Sequence, residues 1–217
     1  EVADAGLPQL VVADTRLALG QLGALNRAAF NGPVAAITGS SGKTSVKEML
    51  ASILRSAHGQ DAVLATRGNL NNDLGAPLTL LELSTSHRSA VIELGASRPG
   101  DIAYTVDLVR PDVSVITNAG TAHVGEFGGP DRIVEAKGEI LDGLNASGTA
   151  VLNRDDKAYS IWAERAAGKR IVSFGLDDPL VDFSAGSIAY DQRGCPNFVL
   201  TCPLGNLRIQ LNLLGRH

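Results

Sequence analysis

Between Ile37 and Ser45 the chain reads Ile-Thr-Gly-Ser-Ser-Gly-Lys-Thr-Ser. Glycines, a lysine and a threonine at this spacing suit one task, the holding of phosphate. Gly39 and Gly42 would let backbone N–H groups approach an anion closely, and a helix starting there adds a favourable partial charge. Lys43 would reach the terminal phosphates, and Thr44 would offer its hydroxyl to Mg²⁺. Ser40, Ser41 and Ser45 complete the loop. The longer form of the motif has a glycine five residues before the Gly-Lys pair, where Ile37 stands, so this is the short Gly-x-x-Gly-Lys-Thr form. A turn rich in Gly and Ser by accident is the plainer alternative. It is disfavoured because an apolar strand, Val34 to Ile37, and an amphipathic helix fall where the motif needs them.

Three further positions carry chemical potential. Glu93 ends the apolar run Ser89 to Glu93, and a carboxylate at a strand end near a phosphate loop suits a metal. It could equally cap the next helix or pair with Arg98. His123 follows the strand Val113 to Ile116, and a lone histidine there is more often structural than catalytic. Lys137 lies in the middle of the stripe formed by Ile133, Val134, Ile140, Leu141 and Leu144 on a helix expected from Asp131 to Leu144. An amine there either snorkels to the rim, the more economical reading, or is buried, desolvated and reactive. The run Asn69, Asn71, Asn72, Asp73 reads as turn residues or as amides able to contact phosphate.

Composition bounds what these residues could serve. A chain of 217 residues can bury a substantial core, and its 44% hydrophobic and 19% charged content is that of a globular protein. A net charge of −4 gives no support for nucleic acid as a partner. No stretch of apolar residues suits membrane insertion and no signal peptide is seen, so the expected location is the cytoplasm, with Cys195 and Cys202 as reduced thiols.

The elements that must position these side chains alternate. A strand at Pro8–Val12 precedes a helix capped by Asp14 or Thr15 and running to about Phe30, with Leu17, Leu22 and Leu25 inside. After the phosphate loop, a helix turns Val46, Met49, Leu50, Ile53 and Leu54 inward. Strands follow at 62–65, 89–93, 113–116, 149–152 and 170–174. Helices are expected to start near Pro77 and Asp131, with another around 157–167. This pattern predicts an α/β fold, a mostly parallel sheet with helices on both faces. From about 181 to 211 alternating strands with turns at Gly194 and Gly205 predict a small antiparallel β appendage.

Taken together, the motifs resemble the central ATPase domain of the Mur ligases. The residues that carry the resemblance are Thr-Gly-Ser-Ser-Gly-Lys-Thr-Ser-Val-Lys-Glu-Met at 38–49, Gly-Asn-Leu-Asn-Asn-Asp-Leu-Gly at 68–75, Val-Ile-Glu-Leu-Gly-Ala at 91–96, Ala-His at 122–123 and Ala-Lys-Gly-Glu-Ile at 136–140. Ser40-Ser41 and the Asn-Leu-Asn-Asn run favour the member that joins D-alanyl-D-alanine to a UDP-muramoyl tripeptide in peptidoglycan precursor synthesis. A related amide ligase, folylpolyglutamate or cyanophycin synthetase-like, is the alternative.

The resemblance implies a role for each matched residue. Lys43 and the loop amides would bind ATP, and Thr44 and Glu93 would hold one Mg²⁺. His123 would serve a second Mg²⁺ together with Lys137, carbamylated by CO₂ to an anion. Asn69 and Asn72 would lie beside the phosphates or the metal shell. It also implies that residues 1–31 are the remnant of an N-terminal UDP-sugar domain and its linker. Residues 32–217 would be the ATP-binding domain, the C-terminal ligase domain would be absent, and a monomer is expected.

Overall fold

The computed structural model describes residues 6–120, 127–178 and 180–214. Its strands are β1 (Val34–Thr38), β2 (Val63–Ala65), β3 (Ser89–Glu93), β4 (Val113–Ile116), β5 (Thr149–Asn153), β6 (Arg170–Gly175), β7 (Phe183–Tyr190), β8 (Pro196–Cys202) and β9 (Gly205–Gln210). They form one sheet in the order β2-β3-β1-β4-β5-β6-β7-β8-β9. The ladder is parallel from β2 to β7 and antiparallel across β7, β8 and β9. The expected appendage is therefore no separate body. β7 pairs in parallel with β6 at Phe174–Phe183 and Gly175–Ser184, and so extends the main sheet.

The inner strands are apolar on both faces because both faces are covered. On one face Ile37, Val63, Ala65, Val91 and Val115 pack beneath helix α2 (Lys43–His58). On the other, Ala36, Leu64, Ala90, Ile92, Ile116, Ala150 and Leu152 form the larger core. That core is covered by α3 (Gly75–Leu81), α4 (Asp101–Val109), α5 (Pro130–Gly138) with the 3₁₀ turn Glu139–Leu141, and α6 (Tyr159–Arg165). α1 (Thr15–Ala29) packs outside, onto α3 and α4.

Four expectations need correction. Pro8–Val12 forms no strand, and Leu10 and Val11 are exposed, because apolar residues without a ladder partner have nothing to extend against. α1 begins where Asp14 caps it, but Leu17, Leu22 and Leu25 face outward. Its buried stripe is Gly20, Gly23 and Arg27, and a Cβ at Gly23 would lie only 3.0 Å from the Cα of Pro77. Close backbone approach there excludes large side chains. On α2, Val46, Leu50 and Leu54 do meet the core, whereas Met49 and Ile53 are exposed and Lys47 and Ala51 are buried in their stead. The helix at Lys137 is shorter than Asp131–Leu144, since regular α geometry ends at Gly138 and tightens into the 3₁₀ turn. Helix α4 has no counterpart among the expected elements.

Burial sets the expected effect of truncation. Ile92→Ala, at a fully buried position, should cost about 3 kcal/mol by urea denaturation, whereas Leu25→Ala, at 68% exposure, should stay within about 0.5 kcal/mol.

Candidate functional site

Ligands of open parallel sheets bind beyond the carboxyl ends of the strands, where the chain reverses direction across the sheet. Here β1 lies between β3 and β4, and the three carboxyl ends carry the glycine loop, Glu93 and Thr117-Asn118. The loop from Gly39 to Gly42 is built against the end of β4. Gly39 (φ 147°) packs where any Cβ would overlap the Thr117 hydroxyl, and Gly42 (φ 79°) turns the chain into α2. Ser40 N–H donates to the Asn118 carbonyl at 3.0 Å, Ser41 N–H to the Asn118 amide oxygen at 3.1 Å, and the Thr117 hydroxyl to the Ser41 carbonyl at 2.6 Å. The Ser40 hydroxyl donates to Gly120.

α2 begins with no side chain capping it and no acid in its first turn. Its first N–H groups have no acceptor within the helix, so sixteen aligned peptide dipoles end in an anion-seeking surface. Lys43 Nζ folds back onto the Gly39 carbonyl at 2.9 Å. The Thr44 hydroxyl donates to Glu93 Oε2 at 2.9 Å, and the Asn71 amide donates to Glu93 Oε1, also at 2.9 Å. Glu93 itself is 2% exposed. Neither of its plainer roles is seen: Arg98 pairs with Asp101, and the start of α4 is capped by Glu139, which accepts from Gly100 N–H at 2.6 Å and Ala103 N–H at 2.9 Å. A hydroxyl and a carboxylate brought together beside the glycine loop are the hard oxygen donors Mg²⁺ prefers, and that ion takes few protein ligands.

Lys137 comes to the same place from α5. Trp162, fully buried on α6, holds α5 by donating its indole N–H to the Val134 carbonyl at 3.0 Å. Lys137 is 4% exposed, and its ammonium lies 5.4 Å from the centre of the Phe127 ring. Among the described residues it makes no hydrogen bond or ion pair, so the snorkelling alternative does not hold. Desolvation, followed by the nearby Lys43 charge, lowers its pKa to about 8, against smaller opposing effects of Glu139 and Asp101. Lys43, Lys137, Asn71, Arg98, Asp101 and Phe127 line a shared cavity of about 520 Å³. A second, apolar cavity of about 310 Å³ opens beside Ser45 and Met49, walled by Leu176, Tyr190, Phe198 and Leu213.

The asparagine run divides unexpectedly. Asn72 closes the turn into α3 by accepting from Gly75 N–H at 2.8 Å, while also lining the larger cavity. Asn69 is exposed and does not line it. Asn71, between them, touches Glu93. The sequence named Asn71 only as one member of its polar run, with the individual role given to Asn69 and Asn72, and gave Asn118 no role; the signal for both was their place in polar runs after strands. His123 lies outside the described residues.

Comparison with known proteins agrees with this geometry. The profile of the Mur ligase middle domain matches residues 37–217. The UDP-N-acetylmuramoyl-tripeptide–D-alanyl-D-alanine ligase of Haemophilus influenzae is 45% identical over 218 aligned positions, covering 100% of this chain and 47% of that protein. The crystal structure of MurF from Acinetobacter baumannii superposes with a TM-score of 0.92 at 46% identity, over 99% of this chain and 46% of that one. MurF from Thermotoga maritima, solved in complex with ADP, gives a TM-score of 0.82 at 31% identity, over 93% and 45%. The chain spans about half the length of the relatives it matches.

The depressed amine pKa has a definite sign. The unfolded chain holds its Lys137 proton up to about 10.5, the folded one only to about 8, so the stability penalty is full below 8 and fades as pH rises through that window. Competitive acetylation in CO₂-free buffer should titrate Lys137 near pH 8, and Lys43→Met, which removes a repelling charge, should shift that titration upward.

Proposed function

The chain belongs to the Mur ligase family, and from that premise we propose that it supplies the ATP and Mg²⁺ site of a ligase joining D-alanyl-D-alanine to UDP-N-acetylmuramoyl tripeptide. The observation that carries this reading is the junction of Thr44, Glu93 and Asn71 beside an uncapped helix start, with Lys43 and Lys137 facing one cavity. The relatives' names support the substrates, and the ADP bound to the Thermotoga maritima enzyme supports the nucleotide. Identity of 45% to a ligase of this specificity favours it over a folylpolyglutamate or cyanophycin synthetase-like activity.

On this reading the β- and γ-phosphates occupy the loop, cradled by the backbone N–H groups that open α2. Lys43 exchanges the Gly39 carbonyl for phosphate oxygens. Thr44 and Glu93 would hold Mg²⁺, which would supply neutralising charge for the phosphoryl oxygens. The apolar cavity beside Ser45 and Met49 suits the nucleobase. The terminal carboxylate of the tripeptide attacks the γ-phosphorus, the bond from that phosphorus to the ADP oxygen breaks, and an acyl phosphate results. The amine of D-alanyl-D-alanine then attacks the acyl carbon and loses a proton as inorganic phosphate departs. Stabilisation of the clustered oxyanions by fixed charges supplies the rate, and no side chain becomes a covalent nucleophile.

Lys137 has a distinct part. A desolvated amine with a lowered pKa, in its neutral form, adds to CO₂ and releases a proton, giving an anionic carbamate. That anion beside Lys43 would replace a repulsion with an attraction and would offer oxygens to a second Mg²⁺, the ion that the family resemblance also assigns to His123. The amide contacts expected of Asn69 and Asn72 belong in this reading to Asn71, with Asn72 on the cavity wall. Residues before about 31 lead out of a UDP-sugar domain, and residues 32–217 belong to the ATP-binding domain.

Phosphate release from ATP by the full-length protein should require both UDP-muramoyl tripeptide and D-alanyl-D-alanine, and release indifferent to them would overturn the substrate assignment. Lys43→Met should lower the rate by at least about 100-fold. With ¹³C-labelled bicarbonate, NMR should show a carbamate carbon in the wild type that is lost in Lys137→Arg.

A further inference from the structure

A second lysine on α2 is more deeply buried than either of those facing the cavity. Lys47 is 1% exposed and lies one helical turn beyond Lys43 and Thr44. Its ammonium donates to the Thr66 carbonyl at 2.8 Å and pairs with Glu48 at 2.7 Å. Thr66 is 2% exposed, and it begins the loop that leads from β2 to α3. The Thr66 hydroxyl accepts the backbone N–H of Glu93 at 2.9 Å. Five residues on, the same loop returns to Glu93 through the Asn71 amide, and Gly95 N–H donates to the Asn71 carbonyl at 2.7 Å. Glu93 is thus held at its backbone by Thr66, at one carboxylate oxygen by Asn71 and at the other by Thr44.

Two of these three holds come from one loop, and Lys47 fastens the start of that loop to the helix that carries Thr44. We propose that Lys47 is a positioning residue for the divalent cation: it keeps the Thr66–Asn71 loop, and through it the Glu93 carboxylate, in register with the Thr44 hydroxyl. This rests on the reading of Thr44 and Glu93 as the Mg²⁺ ligands. Packing alone does not call for a lysine at this position. An apolar side chain of similar length fills the same space without the desolvation cost of a buried amine, whereas lysine reaches the Thr66 carbonyl and donates to it.

The test is ADP binding to the full-length protein by calorimetry, with Mg²⁺ and with EDTA, alongside thermal unfolding. Lys47→Met should weaken ADP binding about ten-fold in Mg²⁺ while leaving it within about two-fold in EDTA, the selective loss expected when one charge-assisted hydrogen bond no longer sets ligand geometry. Thr66→Val, which removes the hydroxyl that meets Glu93 N–H but keeps the carbonyl that Lys47 reaches, should reproduce that selective loss, and Thr66→Ser should not; Lys47→Gln, a milder change, tests the lysine itself by the same selective loss if Lys47→Met does not fold. Equal weakening in Mg²⁺ and EDTA, or unchanged binding, in a folded Lys47→Met or Lys47→Gln, or in Thr66→Val, would overturn the inference and leave the metal site standing. A wild type whose ADP affinity ignores Mg²⁺ would overturn the Thr44–Glu93 reading itself, and this inference with it.

Discussion

A carboxylate at 2% exposure has to be met on every side, and the demand made by Glu93 organises the carboxyl edge of this sheet. Its two oxygens accept from Thr44 and Asn71, and its backbone N–H donates to Thr66. These donors and acceptors belong to the start of α2 and to the loop between β2 and α3, while Glu93 itself ends β3. None of the three segments can shift without leaving a buried polar group unpaired, a loss larger than the net worth of the bond itself. The carboxylate thus acts as a clamp before it acts as anything else. A donor set already frozen in one geometry needs little reorganisation to receive a cation and a phosphate chain.

The loop obeys a parallel constraint from the other side. Its backbone is shaped by Thr117 and Asn118 rather than by contacts within itself, and Ala119, next in line, donates to Asp156 at 2.7 Å. β4 and β5 therefore support the glycine loop from one flank as β3 supports Thr44 from the other. The strand order that places β1 between β3 and β4 makes this bilateral support possible.

What was legible in the residues follows from which interactions are local. The inner strands could be read because burial on both faces makes their apolar runs nearly continuous, and the turn from β1 into α2 because its glycines are set by backbone geometry. The burial of Lys137 could be suspected because its helix neighbours are apolar at the right spacing. α4 was legible but unread, since Ile102, Val106 and Val109 repeat at helical intervals and are all buried. The inner face of α1 was not legible, for hydropathy cannot register a helix that approaches its neighbours through Gly20 and Gly23. Nor could the asparagines be told apart: three within four positions share one composition, and only the turn decides that Asn72 caps, Asn69 faces solvent and Asn71 meets Glu93. Long-range partners decide polar roles, and a linear pattern carries no trace of them.

The two lysines of the cavity show why such a site favours anions from several sources at once. Lys43 satisfies its charge on a backbone carbonyl, whereas Lys137 has the face of Phe127 and no hydrogen-bond acceptor among the described residues. Burial, and after it their mutual repulsion, depresses the Lys137 amine, and an anion brought into the cavity would relieve both lysines together. Burial, aided by that repulsion, leaves a minor fraction of Lys137 unprotonated near neutral pH, the state in which an amine adds to CO₂. The proton affinity of the Lys137 amine is therefore set first by its burial on α5 and then by the approach of α2, which brings Lys43 to the same cavity.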